Sequence, residues 1–375
     1  MLSPTEPYND LPFLSTLWMD VTPQLSRLAE ETHVAIELLR YAVNTMPDHE
    51  ALLDTLSLQE AKSSSNIENI ATTNEDLYRD AVMEESSEAV KAVKKYRDAL
   101  YIGFDMIKAK RHIAMTDIAD INRPVNSRHM GMRANLPNFG SRTRIQKFGA
   151  DGNAETIYTP PHGKELLQAL LIDMLDFVYD DDTFDYHPLI KIALAHYQFE
   201  SIHPYHDGNG RTGRILNILF MLEKGYLDFP ILNISSYITR HKNQYYELLQ
   251  EARETQQYDA FVVFMLTAFK VSARETLHIV EGVRAHLQFY TSDKFLENLK
   301  GQPKILRETI EIVFRKVYVR ISDLTEAQIG IHRQTAASYL DQLAEEGLLS
   351  KEKHGRENIY KNIKLLELFD EDCEE

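Results

Sequence analysis

A mainly α-helical protein is expected from this 375-residue chain, with a β-hairpin in its middle and a small helical module with a second hairpin near its end. Three observations lead there. Apolar residues recur three and four apart in runs such as LSRLAEETHVAIELLRYAV and SEAVKAVKKYRDALYIGFDMI, the spacing of an amphipathic helix. That texture breaks at RTRIQKFGADGNAETIYTPP, where two strand-like runs flank residues 149–153 and a double proline follows, which reads as a hairpin. Beyond residue 301, KILRETIEIVFRKV, SDLTEAQIG and RQTAASYLDQLAEEGLL read as three helices on short turns, and LLSKEKHGRENIYKN as two strands around residues 354–356. Together these make a winged helix-turn-helix.

Taken in order, residues 1–110 form a helical N-terminal region, 111–295 a helical core carrying the hairpin, and 300–375 the winged domain and an acidic tail, with SDKFLENLKGQPK at the last boundary. Within the core, HPLIKIALAHYQFESI places Leu189, Ile192, Ala193, His196 and Phe199 at helical intervals. RILNILFMLEKG is apolar almost all round and predicts a buried central helix.

Hydrophobic residues make up 43% and charged residues 26%, so an ordinary globular protein of two or three domains is expected rather than a disordered or fibrous chain. The longest uncharged apolar run considered, AFVVFMLTAF, is well short of the ~20 residues that span a bilayer, and no membrane association is expected. The N-terminus lacks the charged and apolar regions of a secretory signal, and the single cysteine, Cys373, forms no intrachain disulfide; both favour the cytoplasm. A formal charge of −16 argues against broad attraction to nucleic acid or anionic lipid.

The densest chemistry lies in HPYHDGNGRTGR, which begins at His203 between two predicted helices, the second starting at about 210–212. Gly208, Asn209 and Gly210 then sit at a helix N-terminus, where unpaired N–H groups and the helix dipole favour phosphate. Arg211 and Arg214, three apart on that helix, can project towards one anion. Asp207 offers a hard oxygen ligand suited to Mg²⁺ on a nucleotide, and a neutral His203 could take a proton from an attacking hydroxyl. A polar helix connection with surface arginines is the plainer alternative.

The stretch resembles the signature of Fic-family proteins, H-P-aromatic-x-[D/E]-G-N-G-R-x-x-R, from His203 through Arg214, with Tyr205 in the aromatic place and His206 at the variable position, to which no role is assigned. The resemblance implies a Fic-type helical core and transfer of AMP from ATP, with Mg²⁺, to a Ser, Thr or Tyr hydroxyl of a target protein and of the chain itself. His203 is then the base and Asp207 the metal ligand. Gly208, Asn209, Gly210, Arg211, Thr212, Gly213 and Arg214 hold the nucleotide, Arg214 at its γ-phosphate.

A second stretch, SSSNIENI, places Ser64 and Glu68 on one helical face and resembles the family's inhibitory motif, Ser64-x-x-x-Glu68-Asn69. The resemblance implies that Glu68 pairs with Arg214 and blocks the γ-phosphate; in some relatives the same glutamate aids hydrolytic removal of AMP. The hairpin resembles the family's target-docking flap, with Ile145 as the contact residue, and Tyr245 falls where relatives contact adenine. A homodimer is expected from the family. In the winged module, Arg333, Gln334, Thr335 and Ser338 would face outward, but residues 301–366 carry a net charge of only +2, which favours protein contacts over DNA. The competing function is a nucleotide-sensing transcriptional regulator that binds DNA through this module.

Overall fold

A computed structural model describes residues 3–46, 50–83, 87–110, 112–127, 131–133, 144–148, 154–354 and 357–370. The chain is mainly helical. A 3-10 turn (Leu14–Thr16) precedes α1 (Pro23–Asn44), α2 (Glu50–Ile67), α3 (Asn74–Met83), α4 (Glu88–Lys110) and α5 (Met115–Val125). Strands β1 (Ile145–Phe148) and β2 (Ala154–Tyr158) follow, then α6 (Lys164–Tyr179), α7 (Pro188–Ile202), α8 (Asn209–Glu223), α9 (Ile234–Arg240), α10 (Lys242–Thr255), α11 (Asp259–Tyr290) and α12 (Asp293–Leu296). The last elements are α13 (Pro303–Val313), β3 (Tyr318–Arg320), α14 (Ile321–Glu326), α15 (Arg333–Glu345), β4 (Leu349–His354), β5 (Glu357–Asn362) and α16 (Ile363–Asp370).

By its internal contacts the chain divides into two compact units. The first comprises Met1–Arg40, Ser57–Ile70 and Ala92–Ala273. Its centre is the α7–α8 pair. Every α7 residue from Leu189 to Ile202 is buried, which explains why that helix shows so little amphipathic contrast. Pro188 occupies its first turn, where a missing N–H is harmless, and the His187 ring caps it by accepting the Leu189 N–H. α7 packs on α6 and α8, and α5 packs on α8. From α11, Phe261 stacks on His196 and meets Tyr197 edge-on. β1 and β2 pair antiparallel, with Phe148 opposite Ala154 and Ile145 opposite Tyr158; the residues joining them lie outside the described ones.

The second unit comprises Tyr41–Leu56, Ala71–Lys91 and Arg274–Glu375. Its three C-terminal helices α13, α14 and α15 are followed by the expected strand pair, with Leu349 opposite Asn362 and His354 opposite Glu357. Three elements differ from the sequence expectation. The run read as one helix through Val317 stops at Val313, and residues 318–320 form β3, which completes a sheet of order β3-β5-β4. Tyr318 and Val319 are buried β-formers, and the pairing partner that selects the strand lies some forty residues away. The run read as a second helix ends at Glu326, ahead of left-handed Gln328 and Gly330. Asn362 then caps α16 by accepting the Leu365 N–H, a helix not expected from the sequence.

Candidate active site

The first half of HPYHDGNGRTGR joins the end of α7 to the start of α8. Its shape is built by local hydrogen bonds. His203 terminates α7 in a left-handed conformation (φ 48°), and its N–H still reaches the Phe199 carbonyl at 2.9 Å. The Asn209 carboxamide brackets the turn, accepting the Tyr205 N–H and donating to the Tyr205 carbonyl, each at 2.8 Å. Gly208 has φ 77°, and a Cβ there would meet the Val125 carbonyl oxygen at 3.0 Å, so both backbone and space demand glycine. Thr212 donates its hydroxyl to the Gly208 carbonyl at 2.8 Å and receives the Asn122 amide at 3.0 Å.

Thr212 gives the first i→i−4 bond of α8, to Gly208 at 2.9 Å, so the N–H groups of Asn209, Gly210 and Arg211 precede the helical ladder. Unpaired N–H groups at such a helix end favour an anion. Several expected contacts have a different local use, however. The Asn209 side chain is buried and fully engaged in bracing the loop, and so is Thr212. Gly213 faces α7, where a Cβ would lie 2.6 Å from Glu200 Oε1; its smallness serves helix–helix approach.

His203 lies in the wall of a cavity of about 260 Å³ together with Glu68, Arg144, Ile145, Ile157, Glu200, Gly210, Arg214, Tyr245, Tyr246, Leu249 and Arg253. Burial, reinforced by the Arg133 and Arg253 guanidiniums, pushes its imidazole down to about 3, so the ring is neutral at physiological pH. Arg133 also fixes the end of α7, donating to the Ile202 and His203 carbonyls at 2.8 and 2.6 Å.

Asp207 is half-buried. Burial alone would raise its carboxyl, but hydrogen bonds from the Ser127 side chain and backbone, the positive charge of Arg211 and the Gly208 N–H hold it below the usual carboxylate value. Ser127 N and Gly208 N approach at 3.0 and 2.8 Å, and Arg211 forms a long ion pair at 3.6 Å. As an ionised hard oxygen donor, Asp207 fits Mg²⁺. Among the described residues it belongs to no trio of metal-ligating side chains, so an ion there needs further ligands from nucleotide phosphates and water.

Arg214, which also lines the cavity, is only 1% exposed. Its Nε donates to Ser64 Oγ at 2.8 Å, and its Nη2 donates to the Ser64 carbonyl at 3.1 Å and to Glu68 Oε1 at 2.9 Å. Burial opposes its charge, but Glu68 and neighbouring acidic groups more than offset that and raise its pKa further. Gly210 admits the carboxylate: a Cβ there would sit 2.6 Å from Glu68 Oε1.

The end of α2 explains the local sequence. Ile70 N reaches Ser65 O and Asn69 N reaches Asn66 O, both at 3.0 Å, closing a Schellman motif with Asn69 left-handed at φ 61°. Lys242 donates to the Asn69 side-chain oxygen at 3.1 Å. One and two turns earlier, Ser64 and Glu60 continue the same helix face inward. Glu60 is fully buried, accepting Tyr96 OH at 2.7 Å, Ser235 N at 2.9 Å and Ser235 Oγ at 2.6 Å.

Ile145, on β1, lines the cavity together with Leu249 and the tyrosines. Tyr245 reaches it too, but is 1% exposed with its hydroxyl 2.8 Å from His196 Nε2, whereas its neighbour Tyr246 is 39% exposed. The freer aromatic surface is thus Tyr246. Sequence reasoning also missed Asn122, Ser127, Arg133, Glu200 and Arg253. These lie outside the motif or, like Glu200, read as ordinary positions of a buried helix.

Comparison with known proteins bears on this geometry. Residues 26–105 match the Fic/DOC family N-terminal domain, 106–221 the Fic/DOC family domain, and 294–365 the C-terminal domain described as that of protein adenylyltransferase SoFic-like. A protein adenylyltransferase Fic from Aedes aegypti is 27% identical over 235 residues, covering 63% of this chain and 40% of the relative. One from Nematostella vectensis is 31% identical over 152 residues, covering 40% and 31%. The chain thus spans about two-fifths or less of the length of these relatives. Among solved structures, a Fic family protein from Desulfovibrio desulfuricans superposes with a TM-score of 0.54 at 19% identity, over 92% of this chain and 98% of the other. Fic-1 from C. elegans superposes with a TM-score of 0.51 at 20% identity, over 69% and 74%. With its motif, fold and consecutive domain matches in agreement, the chain belongs to the Fic/DOC family.

Proposed function

We propose that this protein is an ATP-dependent protein adenylyltransferase restrained by its own Glu68. The observation that carries the reading is a neutral, cavity-lining His203 one short loop from the open N–H groups at the start of α8. In this reading the imidazole accepts the proton of a target Ser, Thr or Tyr hydroxyl as that oxygen attacks the α-phosphate, and pyrophosphate leaves. The α8 N-terminus and Arg211 hold the phosphates, with Gly208 and Gly210 allowing close approach. Asn209, Thr212 and Gly213 support the nucleotide indirectly, by holding loop and helix in shape. Mg²⁺ held at Asp207 would neutralise phosphate charge. Ile145 on the hairpin faces the incoming target segment, and Tyr246 with Tyr245 borders the nucleoside.

Restraint follows from occupancy. While Glu68 holds Arg214, the cation meant for the γ-phosphate is already paired, and an incoming phosphate also meets a carboxylate. AMP removal assisted by Glu68, modification of the chain itself, a homodimer and the division at about residues 110 and 300 belong to the same reading. We read the C-terminal helices and sheet as a winged helix-turn-helix suited to protein contacts.

Incubation with α-labelled ATP and Mg²⁺ tests the proposal, with GTP, UTP and CTP in parallel. Label on protein that disappears in His203→Ala supports it; absence of label from any nucleotide, even in Glu68→Gly, refutes it.

A further inference from the structure

Glu200 is the residue of this cavity whose chemistry is left unexplained. It sits on α7 one turn before His203, so the two share a helix face. It is 8% exposed and lines the cavity. Its Oε1 is sealed from solvent and accepts no hydrogen bond among the described residues. A sealed carboxylate oxygen without a partner is expensive, and native proteins rarely keep one without a use.

The surroundings explain why it stays unpaired. From α8, Arg214 directs its guanidinium at Ser64 and Glu68. From α10, Arg253 donates to Ser201 Oγ at 3.1 Å and the Glu200 carbonyl at 3.2 Å, and covers the Tyr158 ring at 4.3 Å. Tyr245, also on α10, places its hydroxyl against His196. From the end of α2, Glu68 adds a second carboxylate to the same cavity. At the C-terminal end of its own helix, the neutral His203 ring offers no positive charge. Burial is the largest influence on Glu200 and raises it to about 7; Glu68 adds to this, while Arg214 and Arg253 oppose it without bonding. A polyphosphate entering the cavity brings more negative charge to a site that already disfavours it.

We propose that Glu200 takes up a proton from solvent as the cavity fills and, as a neutral carboxylic acid, donates its O–H to a phosphate oxygen of the bound nucleotide. This rests on the nucleotide-binding reading above and adds to it a ligand contact and a proton linkage. Binding then tightens as pH falls, because the complex holds one proton more than the free protein.

The test is calorimetric titration of a non-hydrolysable ATP analogue with Mg²⁺, in two buffers of different ionisation enthalpy. At pH 7 the wild-type protein should take up about half a proton more than Glu200→Gln, since a group titrating near pH 7 is half-charged there before binding. Nucleotide and His203 are common to both proteins, so the difference isolates Glu200. Glutamine keeps a donor without a charge. Its affinity should match wild type at pH 6.5 within about threefold and exceed it at pH 8.5 by about three- to tenfold. Glu200→Met removes the unsatisfied group, so it should fold at least as well, yet bind more weakly at pH 6.5. Equal proton uptake in wild type and Glu200→Gln overturns the proposal. So does weaker binding by Glu200→Gln at every pH, which would make the ionised form the useful one, paired with a released Arg214. If the wild type shows no binding heat, the nucleotide reading itself fails and takes this inference with it.

Discussion

Two arginines one turn apart on α8 are held in opposite ways. Arg211 has a buried Nε without a partner among the described residues and a 3.6 Å ion pair to Asp207. On the α2 side, Arg214 makes three hydrogen bonds, to Ser64 and Glu68. One turn of a single helix therefore carries one cation in a long ion pair and one held by three hydrogen bonds. The start of α8 is not independent of α2, since Gly210 lies against the Glu68 carboxylate. In the proposed reading, Arg214 can meet phosphate once Glu68 moves away from it.

The comparison can be broken most sharply at the base. His203→Ala should lower label transfer by about 10²- to 10⁴-fold while nucleotide binding stays within severalfold, measured by initial rates and by calorimetry. Loss of binding as well would mean that the ring shapes the pocket rather than accepting a proton. Next in size, Glu68→Gly should raise the initial rate roughly ten- to a hundredfold, which corresponds to ~1.4–2.7 kcal/mol of barrier. In that background Arg214→Ala should cancel most of the gain, whereas in the restrained wild type it should change the rate little. An unchanged rate in Glu68→Gly would show that the ion pair is structural.

Smaller effects sharpen the picture. His203 has a folded value of about 3 against an ordinary value of 6.5, so its contribution to stability is complete above pH 6.5 and is lost as pH falls towards 3. Glu60 and Glu200, both raised to about 7, work in the opposite direction: they favour the fold below pH 4.5 and lose that contribution as pH rises through 7. Urea unfolding at pH 7 and pH 5 should therefore show His203→Ala losing about 1–2 kcal/mol less than wild type over that interval. Smallest of all, Asn69→Gly should alter stability by only a few tenths of a kcal/mol, since glycine also suits the left-handed cap; Asn69→Val should lose ~1–2 kcal/mol and raise basal transfer by loosening the end of α2.

Much of this site could be read in advance because it is local. The Gly208 turn, the Asn209 bracket on Tyr205 and the Thr212 bond to Gly208 all span four residues or fewer, so a twelve-residue string carries its own geometry. Ser64 and Glu68 were likewise legible, since an interval of four on a helix places both on one face. The hairpin and the C-terminal helices announced themselves by changes of period. What α8 and α2 do to each other was legible only through family resemblance, because 146 residues separate Glu68 from Arg214.

The rest required the chain to fold. Nothing in VFRKVYVRIS distinguishes β3 from a helix end until β5 supplies its hydrogen-bonding partner. Asn209 and Gly213 looked like ligand contacts, but packing against Tyr205 and Glu200 gives them internal duties. Tyr245 and Tyr246 are equivalent as letters; burial against His196 and Phe261 engages one and leaves the other ring partly open. Backbone turns and helix faces depend on neighbours within about one turn, so a sequence specifies them directly. The fate of a polar side chain depends on which distant groups have already met its neighbours' needs, and that is settled only when α2, α7, α8 and α10 close around one cavity.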